Sequence, residues 1–159
     1  MGTRSLIGVM HGDNCKAVYC HWDGYLEHNG RILQEYYDSA KANNLVALGD
    51  LSSLGPNIGE KHDFDCPHKY DTSEYLAWQE TKAGMCTFYG RDRGETGVDY
   101  KVFQNYDEVL DFADGSMLEY YYIMKDGVWY VADYNNRELR VLADELAKVA
   151  KEENEELPL

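Results

Sequence analysis

Apolar residues fall in short runs broken by turn-forming clusters. Residues 5–10 make one such run and residues 16–22 another, with His11, Gly12, Asp13 and Asn14 between them. A turn rich in Gly, Asp and Asn between two apolar runs predicts a β-hairpin. Behind it Tyr25, Leu26, Ile32, Leu33, Tyr36 and Tyr37 recur at close to helical period, with Asp23 placed to cap that helix. Gly30 lies inside it and costs it about 1 kcal/mol relative to Ala. A second short helix fits residues 40–48, opened by Ser39 and stopped by Gly49.

From residue 50 to 70 periodicity is lost, and Gly55, Pro56, Gly59 and Pro67 punctuate the chain. A long irregular stretch inside a compact domain is usually functional or tied down by other elements. Residues 73–82 read as a short helix with Leu76, Ala77 and Trp78 turned inward. Residues 85–89 read as a strand ending in a charged turn, Gly90 to Gly94. The last third is clearest. Residues 100–103 are strand-like, and Asn105 with Glu108 forms a capping-box variant ahead of Val109, Leu110, Phe112 and Ala113. Residues 119–124 and 128–132 flank Lys125-Asp126-Gly127, a strong hairpin signal. A final helix over residues 138–153 carries Leu139, Leu142, Leu146 and Val149 on one stripe. Glu152, Glu153, Glu155 and Glu156 oppose the dipole at its C-terminal end, which is expected to fray.

The resulting order, β-β-α-α-loop-β-β-α-β-β-α, predicts a single α+β domain over residues 1–154 and a frayed acidic tail over 155–159. The expected architecture is an antiparallel sheet of hairpins with helices packed on one face.

Composition narrows what such a domain can do. The 159 residues are 44% hydrophobic and include 14 tyrosines, enough for a packed core. No apolar run approaches the length of a membrane span, the N-terminus has no secretory h-region, and Leu6 stands where a myristoylation signal needs Ser or Thr. A cytosolic protein with free thiols at Cys15, Cys20, Cys66 and Cys86 is expected. Charge is the strongest global feature. The 29 acidic and 15 basic residues give a formal net charge of −14. Such a chain repels nucleic acid and anionic membranes and favours a basic protein surface, including one that normally holds DNA or RNA. A surplus of tyrosine also points to a homodimer, since interfaces favour Tyr.

Five stretches occur in order: Thr3 to Ile7, His21-Trp22-Asp23-Gly24-Tyr25, Leu48 to Gly55 (LGDLSSLG), Gly59 to Phe64 (GEKHDF) and Thr87 to Gly94 (TFYGRDRG). Together they resemble a family of small proteins encoded by tailed bacteriophages and prophages, well over residues 3–95 and loosely beyond. The resemblance implies a phage protein working in the cytoplasm of a bacterial host, against a host or defence component. It brings no catalytic residues with it.

Several constellations invite chemistry. His62, Cys66 and His68 are zinc-ligand types, although their spacing matches no common zinc module. Asp63, Asp65, Asp71 and Glu74 fall at positions one, three, nine and twelve of a calcium-loop template that Pro67 and His68 break. His21, Asp23 and His28 pair imidazole with carboxylate as a general base would, while Trp22 and Tyr25 read as core aromatics. Cys15 and Cys20 lack a recognisable histidine partner. Arg91 and Arg93 are unusual cations here, suited to a phosphate or carboxylate but equally to acidic neighbours such as Asp92 and Glu95. Residues 107–156 hold fourteen carboxylates against five Lys and Arg by count along the chain. On one face, these would imitate the phosphate rows of a duplex.

The primary expectation is an acidic binding protein without catalysis, inhibiting or modulating a bacterial host or defence protein, with nucleic-acid mimicry as its mode. Its candidate ligand- or partner-binding residues are Trp22, Asp23, Tyr25, His62, Asp63, Arg91 and Arg93. The alternatives are a nucleotide-sequestering protein built on Arg91 and Arg93, and a metal-dependent enzyme using the loop from His62 to Asp71.

Overall fold

A computed structural model of the chain describes residues 2–156. The expected α+β single-domain fold is present as an eight-stranded sheet with helices. Strands β1 (Ser5–His11) and β2 (Asn14–Cys20) form the first hairpin, with Gly12 at φ 64° in its turn. Strands β6 (Tyr120–Lys125) and β7 (Val128–Asp133) form the other, and Asp126 and Gly127 both take positive φ, as a type I′ turn requires. The remaining strands are short: β3 (Leu51–Ser53), β4 (Thr87–Phe88), β5 (Lys101–Phe103) and β8 (Arg140–Val141). The strand order is β4-β3-β2-β1-β6-β7-β8, with β5 also paired to β2.

The sheet is mixed, not antiparallel throughout. β1 runs parallel to β6, and β2 pairs parallel with β3. The helices also cover both faces instead of one. Ile7, Val9, Val18, Tyr122, Met124, Trp129 and Val131 face α1 (Arg31–Tyr36), α2 (Ser39–Ala47) and α6 (Leu142–Glu156) through Leu33, Leu45, Val46 and Leu142. Leu6, Ala17, Tyr121, Ile123 and Ala132 face the other way, against Val109 and Ala113 of α5 (Tyr106–Ser116) and Phe103. Central strands buried on both sides become continuous apolar runs, as in Leu6 to Val9 and Tyr121 to Met124. Three buried aromatics have their polar ends satisfied: Tyr122 donates to Gly24 O, Trp129 Nε1 to Tyr37 O at 2.9 Å, and Tyr37 to Gly55 O at 2.7 Å.

Local boundaries differ where a nearby group competes. Asp23 is not a cap; it sits at φ 56° in the turn after β2, and Leu26–Gly30 forms a π-helical turn before α1. The cap of α2 is Asp38, accepting from Lys41 N at 2.8 Å, one residue before Ser39. No residue of helix α3 (Ser73–Lys82) is fully buried: Leu76, 54% exposed, and Ala77 face out instead of inward, while Trp78 is half-buried. The charged turn after β4 is the short helix α4 (Tyr89–Arg93), ended by Gly94 at φ 71°. Asn105 caps α5 by accepting from Glu108 N at 3.0 Å, as expected. The last helix begins at Leu142 because Arg140 and Val141 pair with β7. It continues through Glu156, and residues 157–159 of the expected tail lie outside the described residues.

Candidate partner-binding site

The irregular segment after β3 is tied down by a buried ion cluster. α4 begins directly after β4, so Asp92 turns back under the strand, where its side chain has no solvent exposure. Its carboxylate accepts from Phe88 N at 2.8 Å, His62 N at 3.0 Å and Arg91 Nε at 3.0 Å. Arg91 spends its other donors on Ile58 O and Cys86 O, both at 2.9 Å. The His62 ring lies between Cys86 O, 3.0 Å from Nε2, and Asp63 O, 3.1 Å from Nδ1. Burial alone would raise the Asp92 pKa, but the Arg91 guanidinium and the two amides outweigh it and hold the carboxyl below its ordinary value.

Arg91 and His62 are thus brought together, as a structural latch whose polar groups are engaged within the chain. Arg93 points elsewhere. It binds Glu95 at 2.6 Å and lies over the stacked rings of Phe64 and Tyr89. The two arginines do not form a phosphate clamp, so the bland expectation of pairing with Asp92 and Glu95 holds.

The proposed metal set does not converge. His62 faces the latch, while Cys66 Sγ accepts from the backbone N of exposed His68. Asp63, Asp65 and Asp71 are exposed, and Glu74 lies in the first turn of α3, where a carboxylate favours the helix dipole. His21 pairs with Tyr19 and His28 with Asn29 at 2.9 Å, while Asp23 offers its carbonyl to Asn29 N. Tyr25 is half-buried beside His28. Trp22 is no core aromatic: it is 44% exposed, edge-on to His21. Burial pushes the Cys15 and Cys20 thiols up to about 12, which suppresses the thiolate a nucleophile needs.

Two further features stand out, the first of them outside the sequence-based candidates and the second within the acidic stretch of residues 107–156. β2 forks, pairing with β5 at Cys15 to Ala17 and with β3 at Cys20. In the gap, Asp50 Oδ1 accepts from Tyr19 N at 2.9 Å, and burial raises the Asp50 pKa. The other feature is surface charge. Asp107, Asp111 and Asp114 recur at i, i+4 and i+7 on the solvent face of α5, with Glu108 beside them. α5 and α6 cover opposite faces of the sheet, so the described carboxylates of these two helices lie on opposite sides of it.

Five of the cations are drawn into internal pairs: Arg91 with Asp92, Arg93 with Glu95, Arg137 with Asp114, Arg140 with Asp133 and Glu145, and Lys148 with Glu145. No protein-family model, curated protein or solved structure matches this chain. Among the described residues, no helix is long and apolar enough to cross a membrane.

Proposed function

We propose that the protein is an acidic binding protein, phage-encoded, that inhibits or modulates a bacterial host or defence protein in the host cytoplasm. The observation that carries this reading is the solvent face of α5, where Asp107, Asp111 and Asp114 make a fixed carboxylate row. The rise of an α-helix puts roughly 6 Å and 4.5 Å between them along the axis, wider than the ~3.4 Å axial phosphate spacing of one DNA strand, so the likeness to a phosphate row is one of charge and not of pitch. Arg137 neutralises Asp114 at 2.9 Å, leaving Asp107 and Asp111 without an ion pair among the described residues. With a formal charge of −14 behind it, such a row attracts a basic surface and steers its approach. The resemblance of residues 3–95 to small tailed-phage proteins supports the phage and host context.

Isolation of partners from bacterial lysate on the immobilised protein, at low and at high salt, tests this reading. A single stoichiometric protein with a basic surface, retained at low salt and lost at high salt, is the expected result. Retention indifferent to salt would contradict the electrostatic mode, and no retained protein would contradict the binding reading itself.

A further inference from the structure

We propose that the hollow between the C-terminal end of α5 and the β7–β8 connection is where the partner docks, receiving a basic segment that carries an apolar anchor side chain. The inference rests on the acidic-binder reading and assigns it a place.

The hollow, of about 350 Å³, is lined by Asp114, Met117, Leu118, Glu119, Tyr121 and Tyr134. Leu118 and Tyr121 form a buried floor, while Met117 is 75% exposed and Tyr134 is 61% exposed at its rim. Two large apolar side chains standing out beside one hollow make a different pattern from single exposed residues scattered over a surface. Met and Tyr are among the residues enriched at protein interfaces.

The backbone at both rim residues is held in place. Met117 ends α5 in the left-handed region at φ 57°, a conformation that disfavours any residue with a Cβ. Gly115 stands two residues earlier, but the helix runs past it and leaves methionine in the strained position. Observed strain of this kind points toward function. The Tyr134 backbone N–H donates a hydrogen bond to Glu119 O at 3.2 Å, and Asp133 accepts from Asn135 N and Asn136 N at 2.8 Å in the turn that follows. Backbone ordered in advance lowers the entropy lost on binding.

Charge selects the occupant. Asp114 and Glu119 lie in the hollow, and Asp107 and Asp111 continue the acidic face along α5. The cations nearby are Arg137, paired to Asp114, and Arg4, which lines the adjoining recess with Met117 and Glu119. At the hollow these two cations match Asp114 and Glu119, and the acidic excess comes from Asp107 and Asp111 along α5, which have no ion pair among the described residues. An aliphatic or aromatic anchor filling the hollow, flanked by Lys or Arg facing the α5 carboxylates, satisfies both features.

The test is an amide chemical-shift titration of the labelled protein with a synthetic peptide alternating Lys and Leu, at low and high salt. Met117→Gly, Tyr134→Ala and, as a control on another surface, Tyr36→Ala are titrated in parallel. Met117→Gly removes the rim side chain and relieves the left-handed strain, so its melting temperature should not fall and lost binding cannot be blamed on unfolding. The expected result is a set of shifts centred on Met117, Leu118, Glu119 and Tyr134. Binding should weaken roughly tenfold in Met117→Gly and Tyr134→Ala, the scale of a central interface residue, and remain unchanged in Tyr36→Ala. Salt-sensitive binding that is centred elsewhere, or that Met117→Gly leaves intact, would overturn this site while sparing the acidic-binder reading. Failure of the peptide to bind at any salt would overturn both. Concentration-dependent shifts at the same amides without peptide would assign the hollow to a second copy of this chain and overturn the proposal.

Discussion

Removing the Asp92 carboxylate would leave Arg91 and the amides of Phe88 and His62 buried without their acceptor. Loss of one member of a buried ion pair costs about 3 kcal/mol or more, so Asp92→Ala should lower unfolding stability by that order in urea titration. Its pH dependence follows from the lowered folded pKa. The contribution is fully present above the unfolded value of about 3.9 and is lost as pH falls through the folded value beneath it. Asp133 and Glu145, lowered by Arg140 and Lys148, act with the same sign. Stability of Asp92→Asn should therefore fall less steeply than that of the native chain below about pH 4. Gly30 gives an opposite lesson. Helix propensity alone favours alanine there, but an added Cβ would meet the Cε1 and hydroxyl of Tyr122 at 3.3 Å. Tyr122 is fully buried and bonded to Gly24 O, so it cannot give way. Gly30→Ala should destabilise by about 1–2 kcal/mol, the ordinary cost of overpacking, and a gain in melting temperature would contradict that packing.

The elements differ in how visible they were beforehand. Both hairpins were legible because Gly12 and the Asp126-Gly127 pair mark the turns locally, and α5 because Asn105 and Glu108 cap within its first turn. Parallel pairing of β1 with β6 was not, since it joins segments more than a hundred residues apart. The unbroken apolar runs of those strands were the available signal that both faces are covered. The latch was hidden for a similar reason. Arg91 and Asp92 are neighbours, but their link to His62 spans about thirty residues and carries no local pattern. Trp22 and α3 were placed inward on hydrophobicity, which cannot distinguish a core aromatic from an exposed one. With no fully buried residue, α3 should open independently of the sheet. Its amides should exchange with solvent far faster than those of β1 and β6, and Leu76→Ala should leave global stability within about 0.5 kcal/mol. Protection of α3 equal to that of the sheet would show an unrecognised contact.

Across the molecule, charge and fold act on one another. The sheet separates the acidic helices, so the long-range field comes from the whole chain, whereas a particular contact must be made on one side. The latch fixes the loop after β3 and consumes Arg91, which leaves the α5 side as the acidic surface with an apolar hollow beside it. Sequence sets the expected charge of the proposed partner but not the side of the molecule on which it would dock, because carboxylates counted along a chain carry no information about facing.

Association-rate measurements with the isolated partner, over a series of salt concentrations, test this electrostatic account for the native chain and for the Asp107→Asn, Asp111→Asn double variant. The native rate should fall steeply as salt rises. The variant should start slower and converge on the native rate at high salt, because steering is a screened, long-range effect. A native rate that does not change with salt, or a variant that associates as fast as the native chain at low salt, would contradict the account.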